Sequence, residues 1–126
     1  GRMPKAPAIA AQKALHEAGV SASELHCVTT HNPFAVNDLW LHRETGVPLE
    51  RMNPMGCSLI YGHPQAPTGM RAIAELAHAL ALQGGGVGLF TGCAAGDRGA
   101  AVVCEVRRFP GQSLLILSLP GWRERR

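Results

Sequence analysis

The stretch "PTGMRAIAELAHALALQGGGVGLFTGCAAGDRGAAVVCEV", Pro67 to Val106, decides the fold class. Pro67 to Gln83 carries the clearest helical pattern in the chain, with Met70, Ile73, Ala74, Ala77, Leu80 and Ala81 on one face. Much of the opposite face is alanine, so the helix is expected to be buried nearly all round. Gly84-Gly85-Gly86 stops it. "VGLFTG" and "AAVVCEV" then read as two buried strands, and "CAAGDRG" between them is short enough for an antiparallel hairpin.

Upstream, "PAIAAQKALHEA", Pro7 to Ala18, has Ile9, Ala10, Ala14, Leu15 and Ala18 at helical spacing, with Gly19 as the stop. "LHCVTT", Leu25 to Thr30, reads as a buried strand. In "HNPFAVNDLWLHRETG", Asn32 suits a helix N-cap, Pro33 a first helical residue and Gly46 the end. "VPLERMNPMG" reads as loop and "CSLIYG" as a short extended run. The order is helix, strand, helix, short strand, helix, strand, strand. It predicts a layered α/β fold, a mixed sheet with a C-terminal antiparallel hairpin and a buried helix. The first element is a helix with no strand before it, whereas an α/β unit normally opens on a strand. The tail from Arg107 to Arg126, with Leu114 to Leu117 and Leu119 between two prolines, is expected to be a short strand or an unstructured extension.

Composition narrows the function. The 126 residues are 46% hydrophobic and 17% charged, which is the balance of a chain with a packed core. The net charge is +3, and five of the twelve basic residues (Arg107, Arg108, Arg123, Arg125 and Arg126) fall in the tail. The rest is close to neutral, which argues against a nucleic-acid footprint. No apolar run reaches the about 18 residues a membrane span needs, and "GRMPKAPAIAAQ" has no long apolar stretch of the kind a secretory leader carries. Cys27, Cys57, Cys93 and Cys104 form no C-x-x-C pair, so zinc-ribbon and thioredoxin-type readings fail on spacing. A cytoplasmic location with reduced thiols is the expectation.

Three reactive side chains sit at strand ends beside Gly or Pro, where open α/β sheets form sites. His63 lies between Gly62 and Pro64, His31 ends a strand before Asn32-Pro33, and Cys93 follows Gly92 and precedes Ala-Ala-Gly. His63 is a candidate donor to a developing oxyanion, or a partner activating a thiol. Gly92, Gly96 and Gly99 leave room for a ligand at Cys93. Cys27 and Cys104, inside apolar strands, read as structural. A metal site from His31, His63, Cys93 and Cys57 matches no standard zinc spacing, so no metal is assigned. His16, His26, His42 and His78 read as solvated or core residues. "GGGVG" lacks the G-x-G-x-x-G order of a dinucleotide site, and "GCAAGDRG" lacks the Lys of a P-loop.

The succession of "NPMGCSLIYGHP", a Gly-containing helix start and "GLFTGCAAGDRGAAVVCEV" resembles the carboxyl-terminal part of a thiolase, from about Pro4 to Val106. The resemblance implies an acyltransferase that makes or breaks a carbon–carbon bond by Claisen chemistry on 3-oxoacyl-CoA. It implies no cofactor beyond the coenzyme A thioester substrate. His63 then takes the role of the histidine that hydrogen-bonds the thioester oxygen and helps activate a nucleophilic cysteine. Cys93 takes the role of the acid/base cysteine that moves the α proton. His31 stands where the common Asn-Glu-Ala-Phe motif has the asparagine that holds a catalytic water. Some members, the sterol-carrier type among them, have histidine there. The implied substrate-binding set is Gly62, Gly92, Gly96 and Phe34. "CAAGDRG" is bulkier than the usual Cys-Ile-Gly-Gly-Gly, which implies a tighter acyl pocket.

Nothing in the chain resembles the amino-terminal half with its nucleophilic cysteine, and Cys57 aligns with a family glycine. The expectation is therefore a domain over residues 1–106, incomplete at its opening strand, and an extension over 107–126. Its implied partners are the missing amino-terminal half and an oligomer of the full-length enzyme. By itself the stretch is expected to be inactive. A thiolase-like retro-aldol lyase, and a truncated or complementing non-catalytic subunit, are the alternatives.

Overall fold

The computed structural model describes residues 4–95, 97–109 and 112–117, with the backbone alone at 108, 109 and 112–117. The chain forms α1 (Lys5–Ala18), β1 (Cys27–His31), α2 (Ala35–Thr45), the single turn α3 (Ser58–Tyr61) and α4 (Ala66–Leu82). Strands β2 (Gly86–Ala94), β3 (Arg98–Phe109) and β4 (Gln112–Leu117) follow. The sheet order is β1-β2-β3-β4. β1 and β2 are parallel, and the two later pairs are antiparallel. The sheet is therefore mixed, with the expected hairpin at its carboxyl-terminal side.

Alternation along the strands sorts the core into two layers, because successive strand residues face opposite sides. Val28, Leu89 and Val103 pack with Ala8, Ala11 and Leu15 of α1. Cys27, Phe90 and Cys104 pack with Ala72, Leu76 and Leu80 of α4. The α1 helix stops at Gly19, whose left-handed φ of 63° a residue with a Cβ would adopt only under strain. The tail contributes β4, whose Leu117 stands opposite Cys104 and whose Gln112 stands opposite Phe109. Of the two expectations for it, strand is the one found at 112–117.

Three local expectations change. The second helix starts at Ala35, not at Pro33, and Asn32 does not cap it. Asn32 is fully buried, and its amide is taken by the Asp38 carboxylate and by the Ser58 N–H 26 residues along the chain. "CSLIYG" is not extended, because Ser58–Tyr61 makes a helical turn. Its first N–H, at Ser58, is satisfied by the Asn32 Oδ1 acceptor 3.1 Å away. In α4 the buried face is Thr68, Ala72, Leu76 and Leu80, while Met70 is 79% exposed. An alanine-rich helix carries little phase information, and the sheet selects the face. Gly88 permits the approach: a Cβ there would lie 2.6 Å from Leu76 Cδ1.

Candidate active site

Register brings the first two residues together. His31 ends β1 opposite Gly92 of β2, and Cys93 follows directly. His31 Nδ1 lies 3.2 Å from the Cys93 carbonyl oxygen and 3.3 Å from Cys93 Sγ. Gly92 makes this contact sterically allowed, since a Cβ there would sit 2.6 Å from the Cβ of His31.

His63 arrives from another element. α3 ends at Gly62, whose φ of 81° turns the chain back toward the sheet. The His63 ring then lies against that of His31, with centroids 4.2 Å apart and planes tilted by 39°. Its Nδ1 is 2.9 Å from Thr68 Oγ1 in the first turns of α4.

Two anchors hold α3 in place. At its start is the bond from Ser58 N–H to Asn32 Oδ1. Along its side the Arg71 guanidinium donates to Ser58 Oγ at 3.3 Å and, past the end, to Gly62 O at 3.4 Å, and it lies 5.3 Å from the Tyr61 ring centroid. Arg71 Nε is also 3.5 Å from Glu75 Oε1, an ion pair without hydrogen-bond geometry. Asn32 itself is held by Asp38 Oδ2, which accepts from its Nδ2 at 2.5 Å. Asp38 Oδ1 accepts from the Thr30 hydroxyl at 2.6 Å. Asn53 closes the cluster, donating to Thr30 Oγ1 and accepting the Thr30 N–H, both at 2.8 Å.

The three reactive side chains face one cavity of about 990 Å³. Phe34 and Gly92 also line it, as do Gln65, Phe90 and Asp97, which the sequence did not single out. Gly62 is not part of the wall and acts one residue earlier, as the turn that delivers His63. Gly96 lies outside the described residues. Cys57 heads α3 and does not line the cavity. Among the described residues no three His, Cys, Asp or Glu side chains are grouped to hold a metal ion.

Burial shapes the electrostatics. His31 is 8% exposed, and its pKa is pushed below the ordinary histidine value. Desolvation is the main cause; the His63 and Arg71 charges add to it, and the Cys93 carbonyl opposes it. His31 is therefore neutral at pH 7. The Cys93 thiol is pushed up by burial, so at neutral pH it holds its proton and is ready to give one. Cys27 and Cys104 are pushed up to about 11 and are buried in the sheet. The arrangement offers a proton carrier, an adjacent donor ring and a second ring at the mouth of one apolar-walled cavity.

Residues 1–106 match the family model described as thiolase, C-terminal domain. A 3-ketoacyl-CoA thiolase of Aliivibrio fischeri is 38% identical over 117 residues, covering 79% of this chain and 26% of its own length. One of Serratia proteamaculans is 36% identical over 117 residues, covering 79% and 27%. The chain thus spans about a quarter of the length of the curated relatives it matches. Among solved structures, human mitochondrial 3-ketoacyl-CoA thiolase in complex with CoA superposes with a TM-score of 0.78 at 30% identity, covering 82% of this chain and 26% of that one. The peroxisomal 3-ketoacyl-CoA thiolase of Saccharomyces cerevisiae gives 0.74 at 25%, covering 84% and 30%. These relatives overturn the cytoplasmic expectation, since the solved ones are mitochondrial and peroxisomal proteins. That expectation rested on unpaired thiols and composition, and neither carries an address.

Proposed function

The chain belongs to the thiolase family, whose carboxyl-terminal domain its residues 1–106 match, and from that membership we propose that the polypeptide carrying it is an acyltransferase acting on 3-oxoacyl-CoA by Claisen chemistry. The observation that carries the proposal is the convergence of His31, His63 and Cys93 on one cavity, with 3.3 Å from sulfur to ring nitrogen and 4.2 Å from ring to ring.

Cys93 moves the proton. Its thiolate takes a proton from the carbon α to a thioester in the condensing direction, leaving the electron pair as the enolate, and its thiol returns the proton in thiolysis. Charge then develops on the thioester oxygen, and a ring N–H of His63 is the donor aimed at it. His31 keeps the sulfur in register and supplies a donor beside it; it marks the subgroup with histidine in place of the motif asparagine. None of the four cysteines serves as nucleophile. Cys27 and Cys104 are buried in the sheet, Cys57 lies off the cavity and Cys93 is the acid/base group. The acyl-accepting cysteine comes from residues outside this stretch, and the stretch alone has no thiolase activity.

The yeast relative is described as five layers built from two core domains of identical topology. We place this chain as one carboxyl-terminal α-β-α core in such an assembly, with the amino-terminal half as its partner. A dimer is the expected oligomer, as in the dimeric yeast peroxisomal enzyme.

The test is α-proton exchange between acetyl-CoA and deuterated water, run on the full polypeptide. Cys93→Ala should abolish exchange and thiolysis while leaving acyl transfer to the nucleophile measurable. His63→Ala should lower both steps. A Cys93→Ala enzyme that exchanges the α proton at the wild-type rate would sink the assignment.

A further inference from the structure

Thr68 is 1% exposed, and its hydroxyl lies 2.9 Å from His63 Nδ1. Among the described residues that nitrogen is the one hydrogen-bond partner of the hydroxyl; the Thr68 N–H is engaged separately, with Gln65 O at 3.0 Å. A buried hydroxyl proton needs an acceptor, and a neutral imidazole offers one at the nitrogen that carries no hydrogen. We infer that the Thr68 hydroxyl donates into His63 Nδ1 and holds the neutral ring as its Nε2–H tautomer, which makes Thr68 the positioning residue behind the donor function of His63.

His31 shows the opposite arrangement. Its Nδ1 faces the Cys93 carbonyl at 3.2 Å, which can accept and cannot donate, and this neighbour favours a proton on Nδ1. Its Nε2 is then bare, buried and without a hydrogen-bond partner among the described residues. The two rings, 4.2 Å apart, thus meet neighbours of opposite sense. A donor hydroxyl backs His63, and an acceptor carbonyl backs His31. Cys93 Sγ lies 3.3 Å from the same nitrogen, where an Nδ1–H would meet a thiolate as a donor. The catalytic meaning of this arrangement rests on the acyltransfer reading; the tautomers themselves do not.

The experiment uses the full polypeptide with ¹⁵N-labelled histidine at alkaline pH. The His63 signals are those lost in His63→Gln. The wild type should show a proton-bearing nitrogen at Nε2 and a bare one at Nδ1. Thr68→Val keeps the shape and removes the hydroxyl, and should turn the single tautomer into a mixture; Thr68→Ser should restore it. In thiolysis Thr68→Val should lower kcat about tenfold, the equivalent of one hydrogen bond of about 1.4 kcal/mol, with KM little changed and serine recovering the rate. A wild-type His63 protonated at Nδ1 overturns the inference, and so does a Thr68→Val ring that stays wholly Nε2–H. The wild-type spectrum decides alone if the valine variant does not fold. If the tautomers are as stated and His63→Gln keeps full thiolysis, the acyltransfer role of His63 fails while the Thr68 assignment stands.

Discussion

The imidazole of His63 covers that of His31, with ring centroids 4.2 Å apart. Two rings so close are costly to charge together, and burial adds to that cost at His31. Desolvation, His63 and Arg71 all lower the pKa of His31 from its ordinary 6.5. Between the lowered value and 6.5 the unfolded chain therefore binds more protons than the folded one. The contribution of this site to stability is complete above 6.5 and is lost as the pH falls. Thermal melts from about pH 7.5 down to about pH 5.5 should show a steeper loss of Tm in the wild type than in His31→Gln. Parallel slopes would count against a depressed His31.

Gly92→Ala should displace His31. The added methyl would meet the His31 Cβ at 2.6 Å, and two backbone-tethered carbons cannot both stay where they are. Overpacking of this kind costs about 1–3 kcal/mol of stability. A shift near 1 Å at a reacting group costs about 100-fold in rate. Denaturant midpoints, and kcat for the proposed thiolysis by the full polypeptide, are the measurements, and a variant with native midpoint and rate would refute the close-approach argument.

The four thiols should separate into two classes on alkylation at mildly alkaline pH. Cys27 and Cys104, buried in the sheet and pushed up to about 11, should react only on unfolding. Cys93 and Cys57 are partly exposed and should label in the native protein, with a substrate analogue protecting Cys93 alone. Peptide mapping after brief iodoacetamide treatment reads the order. Early labelling of Cys104 would contradict the packing described.

Asp38 should matter to His63 without touching it. Asp38→Ala leaves Asn32 Nδ2 and the Thr30 hydroxyl without their acceptor. Each unsatisfied buried group costs about 1–3 kcal/mol. The loss reaches α3 through the Asn32 bond to Ser58, and so loosens the turn that delivers His63. Asp38→Asn, which keeps an acceptor oxygen, should be milder. Urea unfolding checks the order, and equal midpoints for the alanine and asparagine variants would show that the cluster does not carry load.

Much of this protein is legible along the chain. The helix from Ala66 to Leu82, the hairpin of β2 and β3 and the strand ending at His31 follow from apolar periodicity and from Gly stops. His63, His31 and Cys93 stand out because Gly and Pro flank strand and turn ends, and those are local signals. They say that each residue is at an edge; the register of β1 against β2 is what makes the edge a common one.

What the sequence could not settle depends on partners distant in the chain. Asn32 has the form of a helix cap, yet its amide bonds Asp38 and a Ser58 N–H 26 positions away. For the same reason "CSLIYG" passes for extended chain although it is a helical turn whose cap comes from another segment. The buried face of α4 is undecided among alanines until Gly88 lets Leu76 and Leu80 reach the sheet. Thr68 has no mark at all in the sequence, because a hydroxyl acquires meaning only from the ring it meets. Spacing and turn chemistry, which act within a few residues, determined the elements and the reactive side chains. Strand register and buried hydrogen bonds, which act between residues far apart in the chain, decided which of those side chains touch and which polar group each ring nitrogen meets.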